Sequence, residues 1–294
     1  MSEQHHHGHG FHETDNIRLA FFLNAGFTIV EFIGGWLTNS TAIMADAVHD
    51  LGDSLSIGLA WALKNVAAKS PDHQFSYGYR RFSLLGALVN AIVLVAGSIF
   101  VLAEAIPRLM HPEMPIAGGM LILAVVGVGV NGLAAWKVAK GNSLNERVIN
   151  WHLMEDVLGW LAVLVVSIIL LFFDLPILDP LLSIGFTLFI LYNVFRLLKE
   201  TVGVFLQSVP DHKALHDIRQ GLLQLDHVGN VHHMHFWSLD GEHHVLTAHI
   251  DLTERLDAVE QIALKKIIHE ILAVYNLTHT TIEFELPDEA CRDA

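Results

Sequence analysis

Six apolar tracts are each long enough to cross a bilayer, at residues 16–37, 40–63, 82–106, 114–137, 148–173 and 176–198. A hydrocarbon core of ~30 Å is spanned by about 20 helical residues. The third and fourth tracts are the cleanest: Phe82 to Ala103 and Met114 to Trp136 hold no charged residue. The fifth and sixth are joined by a tight turn, FDLPILDP, around Asp174 and Asp179. Four spans with the remaining tracts as buried helices is the alternative. Only 16% of residues are charged, against about a quarter in soluble domains. A soluble enzyme or a disordered chain is therefore set aside.

Charge divides the chain. From Thr201 onward there are 6 basic and 15 acidic residues, a net charge of −9, with 11 His among them. The expected domains are a His-rich cytoplasmic tail at 1–15, a six-helix transmembrane domain at 16–205 and a cytoplasmic α+β domain at 206–294. The N-terminal stretch, with His5, His6, His7, His9 and His12, has no cationic region before an apolar one, so it is not a signal peptide. It reads as a loose metal-collecting tract. Cationic residues set orientation: Lys64, Lys69, Arg80, Arg81, Lys137, Lys140, Arg147, Arg196 and Lys199 fall on one side and Arg108 on the other. Both termini are thus expected in the cytoplasm. A net charge of −14 makes nucleic acid a poor partner and cations good ones. One cysteine, Cys291, excludes a disulfide scaffold, a zinc ribbon and an iron–sulfur site.

Ionisable groups inside the spans need a reason, since each costs ~3 kcal/mol at the bilayer centre on insertion scales. Span two reads AIMADAVHDLGDSLSIGLAWAL and span five opens INWHLMEDVLGWLAVL. His49 and Asp53, and His152 and Asp156, are pairs four residues apart, one turn along one helix face. Each pair alone is compatible with a structural hydrogen bond. Two copies in membrane spans point instead to one N2O2 set for a tetrahedral divalent ion, Zn(II) first among candidates. Asp50 and Glu155 point about 100° away from the neighbouring ligand. Asp46 lies on the ligand face one turn earlier, while Glu31 and Glu104 are further intramembrane acids. Asn24, Asn90 and Asn131 suit hydrogen bonds between helices.

In the tail, a helix over about 211–225, strands NVHHMHFWSL and HVLTAHIDL around the turn DGEHH, a helix over 257–275 and a last strand HTTIEFEL give the order αββαβ. Strand alternation places His233 and His235 on one face and His232 on the other, with Glu283 and Glu285 sharing a face.

The elements ADAVHDLGDSLS, FSYGYRRFSLLGALVNAI, NERVINWHLMEDVLGW and VHHMHFWSL resemble the cation diffusion facilitators over about residues 17–286. The short loop KGNSLNE is similar to that of bacterial members. The resemblance implies a metal transport site at His49, Asp53, His152 and Asp156, with His49 favouring zinc and cadmium as a passenger. It also implies a metallochaperone-like tail that forms much of a homodimer, regulatory zinc sites at His232, His249, Glu283 and Glu285, and a multi-pass location in the cell inner membrane. Some members bind a further ion in the loop after span two. This chain keeps Asp72 and His73 there but carries Phe75 and Tyr79 where others have His, so Arg80 and Arg81 are read as anchoring the loop at the cytoplasmic surface. The expected function is proton-coupled export of Zn(II), or of Cd(II) or another divalent transition metal, by a secondary active transporter and not an enzyme. Protons are the coupling ion; a passive divalent-metal channel and a membrane metal sensor are the alternatives. No Walker motif supports an ATP-driven pump.

Overall fold

The structure, a computed structural model, describes residues 9–138 and 144–291. His5, His6 and His7 lie outside the described residues. The chain divides into two compact units, one of residues up to Leu63 with Gly86–Leu198, the other of Lys64–Leu85 with residues from Lys199 onward.

The first unit is built from six long helices, α1 (His9–Thr38), α2 (Thr41–Ala67), α3 (Phe82–Met110), α4 (Ala117–Val138), α5 (Leu144–Phe172) and α6 (Leu178–Phe205). Five are long and apolar enough to cross a membrane by composition. The exception is α2, where any 18 consecutive residues include at least three of Asp46, Asp50, Asp53 and Lys64. The span that the composition disfavours is thus one of the two that carry the ligand motif. Large apolar side chains face outward all round these helices, among them Trp36, Ile92, Phe100, Ile122, Leu133 and Phe172. That is the surface of a protein solvated by lipid, where burying apolar groups against one another gains little and close packing of small residues holds helices together.

That packing is visible at glycine. A Cβ built on Gly127 of α4 would overlap the indole of Trp160 on α5, a ring only 1% exposed in a cluster with Ile43, Met120, Ala124 and Val163. Gly127→Ala should therefore force Trp160 out of place, at an overpacking cost of about 1–3 kcal/mol. The expected result is a lower thermal midpoint of the detergent-solubilised protein, partly recovered in the Gly127→Ala/Trp160→Leu double variant. A midpoint that does not move would place the two helices further apart.

Polar groups make the remaining contacts. Asn24 Nδ2 on α1 donates to the Asp50 carbonyl at 3.2 Å and to Ser54 Oγ at 3.1 Å. Asn90 Nδ2 on α3 donates to Ser56 Oγ on α2 at 2.8 Å. Both agree with the expected interhelical bonds. Asn39 turns the chain between α1 and α2 in the left-handed region, φ 53°, which Asn tolerates. Glu104 is explained by a 2.7 Å ion pair with Arg108 one turn on, whose guanidinium also donates to the Asn39 backbone and side chain.

The second unit holds α7 (His212–Leu223), β1 (Val228–Ser238), β2 (His244–Leu252), α8 (Ala258–Leu272), a 3-10 turn and β3 (Leu277–Glu285), the expected αββαβ order. Both helices start on capping aspartates: Asp211 accepts from the N–H groups of Lys213 and Ala214, and Asp257 forms a capping box with Glu260. The sheet order is β1-β2-β3, β1 antiparallel and β3 parallel to β2. One face packs under the helices through Ile218, Leu222, Val231, Leu246, Ile250 and Ile268. The other face carries the histidines and carboxylates.

Here the expected alternation fails. A bulge lies between His232 and His235, and His233 takes a left-handed φ of 48°. The inserted residue cancels the two-residue period. His232 pairs with His249 and His235 with Thr247, two residues apart on β2 and so on one face. The His233 ring also comes to 4.9 Å from that of His249. His232 is therefore not on the face opposite His233 and His235; the His232 and His233 rings both lie against His249, and His235 stands beside His233.

The segment between α2 and α3 belongs to this unit. Asp72 staples it: Oδ1 accepts from the N–H groups of Gln74 and Phe75 and Oδ2 from the Tyr79 hydroxyl at 2.7 Å, bonds that hold this exposed carboxyl below its ordinary range. Arg80 Nη1 reaches the turn between β1 and β2, 3.1 Å from a ring nitrogen of His243 and 3.6 Å from Asp240 Oδ2. Tyr77 packs edge-on against His279 and Trp237. Burial works to raise the Asp240 carboxyl, but the N–H groups of His243 and Glu242 and the His243 ring outweigh it and hold it low.

Candidate metal centre

His49 and Asp53 stand one turn apart on α2, and His152 and Asp156 one turn apart on α5. The structure brings the four together: one ligand atom from each lies within 4.8 Å of all the others. His49 Nε2 is 3.7 Å from Asp53 Oδ2 and 3.5 Å from Asp156 Oδ1. His152 Nε2 is 3.1 Å from Asp53 Oδ2 and 4.0 Å from Asp156 Oδ2. Each imidazole thus faces the carboxylate of its own helix and that of the other. Donors about 2.0–2.2 Å from a tetrahedral zinc stand roughly 3.4 Å apart; three of these separations lie within a few tenths of an ångström of that edge, and the fourth, 4.0 Å, would close slightly around an ion. Two carboxylates would cancel the two positive charges, leaving a neutral centre where an uncompensated charge is costly.

The site is set among helices yet reachable. Asp156 keeps 11% of its side chain exposed and His152 42%. A cavity of about 220 Å³ opens beside it, lined by Asp46, His49, Glu155, Asp156 and Phe186. Asp46 is buried, and its Oδ2 has no hydrogen-bond partner among the described residues; both Glu31 carboxylate oxygens share that condition.

On the open face of the tail sheet a second cluster forms from His232 of β1, His249 of β2, Glu285 of β3 and Cys291, again with one ligand atom of each within 4.8 Å of the others. Of the residues expected there, His232, His249 and Glu285 come together. Glu283 does not join that group; it lies at the other ring nitrogen of His249, 3.9 Å from Nε2. Cys291 was missed because a lone cysteine beyond the last strand has no spacing that announces a role. Its only sequence signal is that it follows Glu285 by six residues.

Membrane helices that converge on an imidazole–carboxylate set, with a sheet domain bearing a second one, define an integral membrane protein built to handle cations. Comparison with known proteins gives the family. Residues 17–206 match the cation efflux transmembrane domain and residues 210–286 the cytoplasmic domain of cation efflux proteins. The chain is 32% identical to a cadmium, cobalt and zinc/H(+)-K(+) antiporter of Bacillus velezensis, over 97% of this chain and 92% of that protein. It is 32% identical to the zinc transporter ZitB of Escherichia coli, over 97% and 93%, and 30% identical to the metal cation efflux system protein CzcD of Cupriavidus metallidurans, over 97% and 91%. The chain belongs to the cation efflux family, the cation diffusion facilitators, and is a membrane transporter rather than an enzyme.

Proposed function

We propose that the protein exports Zn(II), with Cd(II) as a second substrate, from the cytoplasm in exchange for protons. The observation that carries this is the convergence of His49, Asp53, His152 and Asp156 from two membrane helices onto one point. The relatives named as zinc transporters and as a cadmium, cobalt and zinc antiporter support the ion. The chemistry of the donors supports the coupling. Binding needs neutral imidazole and ionised carboxylate, so protons and metal compete for the same four groups. Moving a dication outward against 100 mV, inside negative, costs ~4.6 kcal/mol, and each proton returning releases ~2.3 kcal/mol. Exchange therefore lowers the work of export, and a site that faces each side in turn performs it.

On this reading residues 1–15 are a cytoplasmic tail, 16–205 the transmembrane domain and 206–294 the cytoplasmic domain, with both termini in the cytoplasm of a cell whose inner membrane holds the protein. The tail domain pairs two copies into a homodimer. Zinc held by His232, His249 and Glu285, with Glu283 at the other ring nitrogen of His249, acts as regulator, because each tail carries −9 and bound dications reduce the repulsion between two of them.

The test is zinc uptake into inside-out proteoliposomes with a pH-sensitive dye in the lumen. Uptake driven by an acid interior, with luminal alkalinisation in step with zinc entry, is the expected result. A passive channel would move zinc with no proton signal, and a sensor would bind zinc with no uptake; either outcome overturns the proposal.

A further inference from the structure

We propose that Cys291 is a metal ligand, its thiolate completing a four-donor N2OS site with His232, His249 and Glu285 on the open face of the cytoplasmic sheet. This rests on the reading of the tail as a zinc-binding regulator and names a donor which that reading lacks.

The fold places each donor deliberately. His232 and His249 are paired across β1 and β2, and Glu285 pairs with Asp251 one alternate position further along β2, on the same face. His249 Nδ1 is 2.7 Å from Glu285 Oε1, and His232 Nε2 is 3.4 Å from Glu285 Oε2. Cys291 Sγ is 3.5 Å from His249 Nδ1. Two bonds of about 2.1 and 2.3 Å meeting at a tetrahedral angle put nitrogen and sulfur roughly 3.6 Å apart. The sulfur already stands at that separation.

The chain beyond β3 is shaped to bring it there. After Glu285 the backbone reverses: the Glu289 N–H donates to the Leu286 carbonyl at 3.0 Å, the Glu289 carboxylate accepts from the Leu286 N–H at 2.9 Å, and Asp288 takes a left-handed φ of 74°. This reversal returns the chain over the sheet and ends on Cys291. His249 and Glu285 are only 7% and 5% exposed, so two donors are already oriented and largely out of water before an ion arrives. The cluster holds two nitrogens, a carboxylate oxygen and a sulfur, a complete set for tetrahedral Zn(II). A soft thiolate also favours Cd(II) more than an all-nitrogen-and-oxygen site does. Binding expels the thiol proton and ties the C-terminal segment to all three strands.

The full-length protein in detergent provides the test, with Cd(II) as probe. Cys291 is the only cysteine, so any thiolate-to-metal charge-transfer absorption has one source. Cd(II) should raise such a band in the wild type and in an Asp53→Ala/Asp156→Ala variant whose membrane site is disabled. Cys291→Ser should abolish it and weaken Cd(II) binding to the tail by roughly tenfold or more, since loss of even an outer partner of a ligand costs about 10–100-fold. Should Cys291→Ser fail to fold, alkylation decides on the wild-type chain: Cd(II) should slow maleimide labelling of Cys291, and His249→Ala should remove that protection. Calorimetric binding to the Asp53→Ala/Asp156→Ala variant with no charge-transfer band and unprotected Cys291 would overturn the thiolate while leaving the tail site standing. No binding at all to that variant would overturn the regulatory reading and the thiolate with it.

Discussion

Asp53→Asn is expected to reduce zinc uptake into inside-out vesicles by at least about two orders of magnitude, although the side chain keeps its size and shape. Asp53 Oδ2 is the one carboxylate oxygen that stands within 4 Å of both imidazoles, 3.7 Å from His49 and 3.1 Å from His152. Asparagine retains a carbonyl donor there but removes one negative charge. The occupied centre then carries a net positive charge among membrane helices, at a cost of ~3 kcal/mol, equivalent to about two orders of magnitude in affinity. Asp53→Ala removes the donor as well and should leave no measurable uptake, as should His49→Ala, His152→Ala and Asp156→Ala. Uptake by Asp53→Asn within a few-fold of wild type would mean that the ion passes without being held here. His49→Asp should instead retain transport and widen ion choice, because it exchanges a nitrogen for a harder oxygen; unchanged selectivity would remove that detail alone.

The membrane part was legible because hydrocarbon imposes blunt rules on sequence. Six tracts of adequate length became six helices, and four polar residues at helical spacing became one cluster. Period and burial cost suffice for such statements; no long-range contact has to be guessed beyond the meeting of α2 and α5. The tail was legible in its element order, since helical periodicity and alternating strands are local signals. Its open face was less so. The bulge at His233 depends on how β1 pairs with β2, which no local pattern encodes, and one inserted residue moved His232 to the face opposite the expected one. Cys291 reaches the site only through the reversal at Leu286–Glu289. The loop after α2 was expected at the cytoplasmic surface through Arg80, but its partners, Asp240 and His243, lie some 160 residues away in sequence.

Asp179 was read only as part of a turn, and its removal should be the most damaging single change outside the metal centre. It sits at the start of α6 and caps α2: Oδ1 accepts from the Ser40 hydroxyl at 2.5 Å and the Ala42 N–H at 3.3 Å, and Oδ2 from the Thr41 N–H at 2.7 Å and the Thr41 hydroxyl at 2.8 Å. Asp179, Ser40 and Thr41 are 1%, 2% and 3% exposed, so no water replaces the acceptor. Leaving a buried donor unsatisfied costs about 1–3 kcal/mol, and a carboxylate at a helix N-terminus also answers the helix dipole. Asp179→Ala should therefore cost on the order of 4 kcal/mol or more, seen as a large fall in the thermal midpoint and in the yield of folded protein. Asp179→Asn keeps one acceptor oxygen and should lose about half as much. Ligand geometry should suffer even where the fold survives. His49 lies eight residues beyond Thr41, about 12 Å along the same helix, so a start of α2 that is free to shift carries His49 and Asp53 with it. Zinc uptake per folded molecule of Asp179→Asn should accordingly fall below wild type, with the lost uptake recovered at higher zinc. Wild-type stability in Asp179→Ala would show that α2 is held by its packing with α1 and α3 and not by this cap.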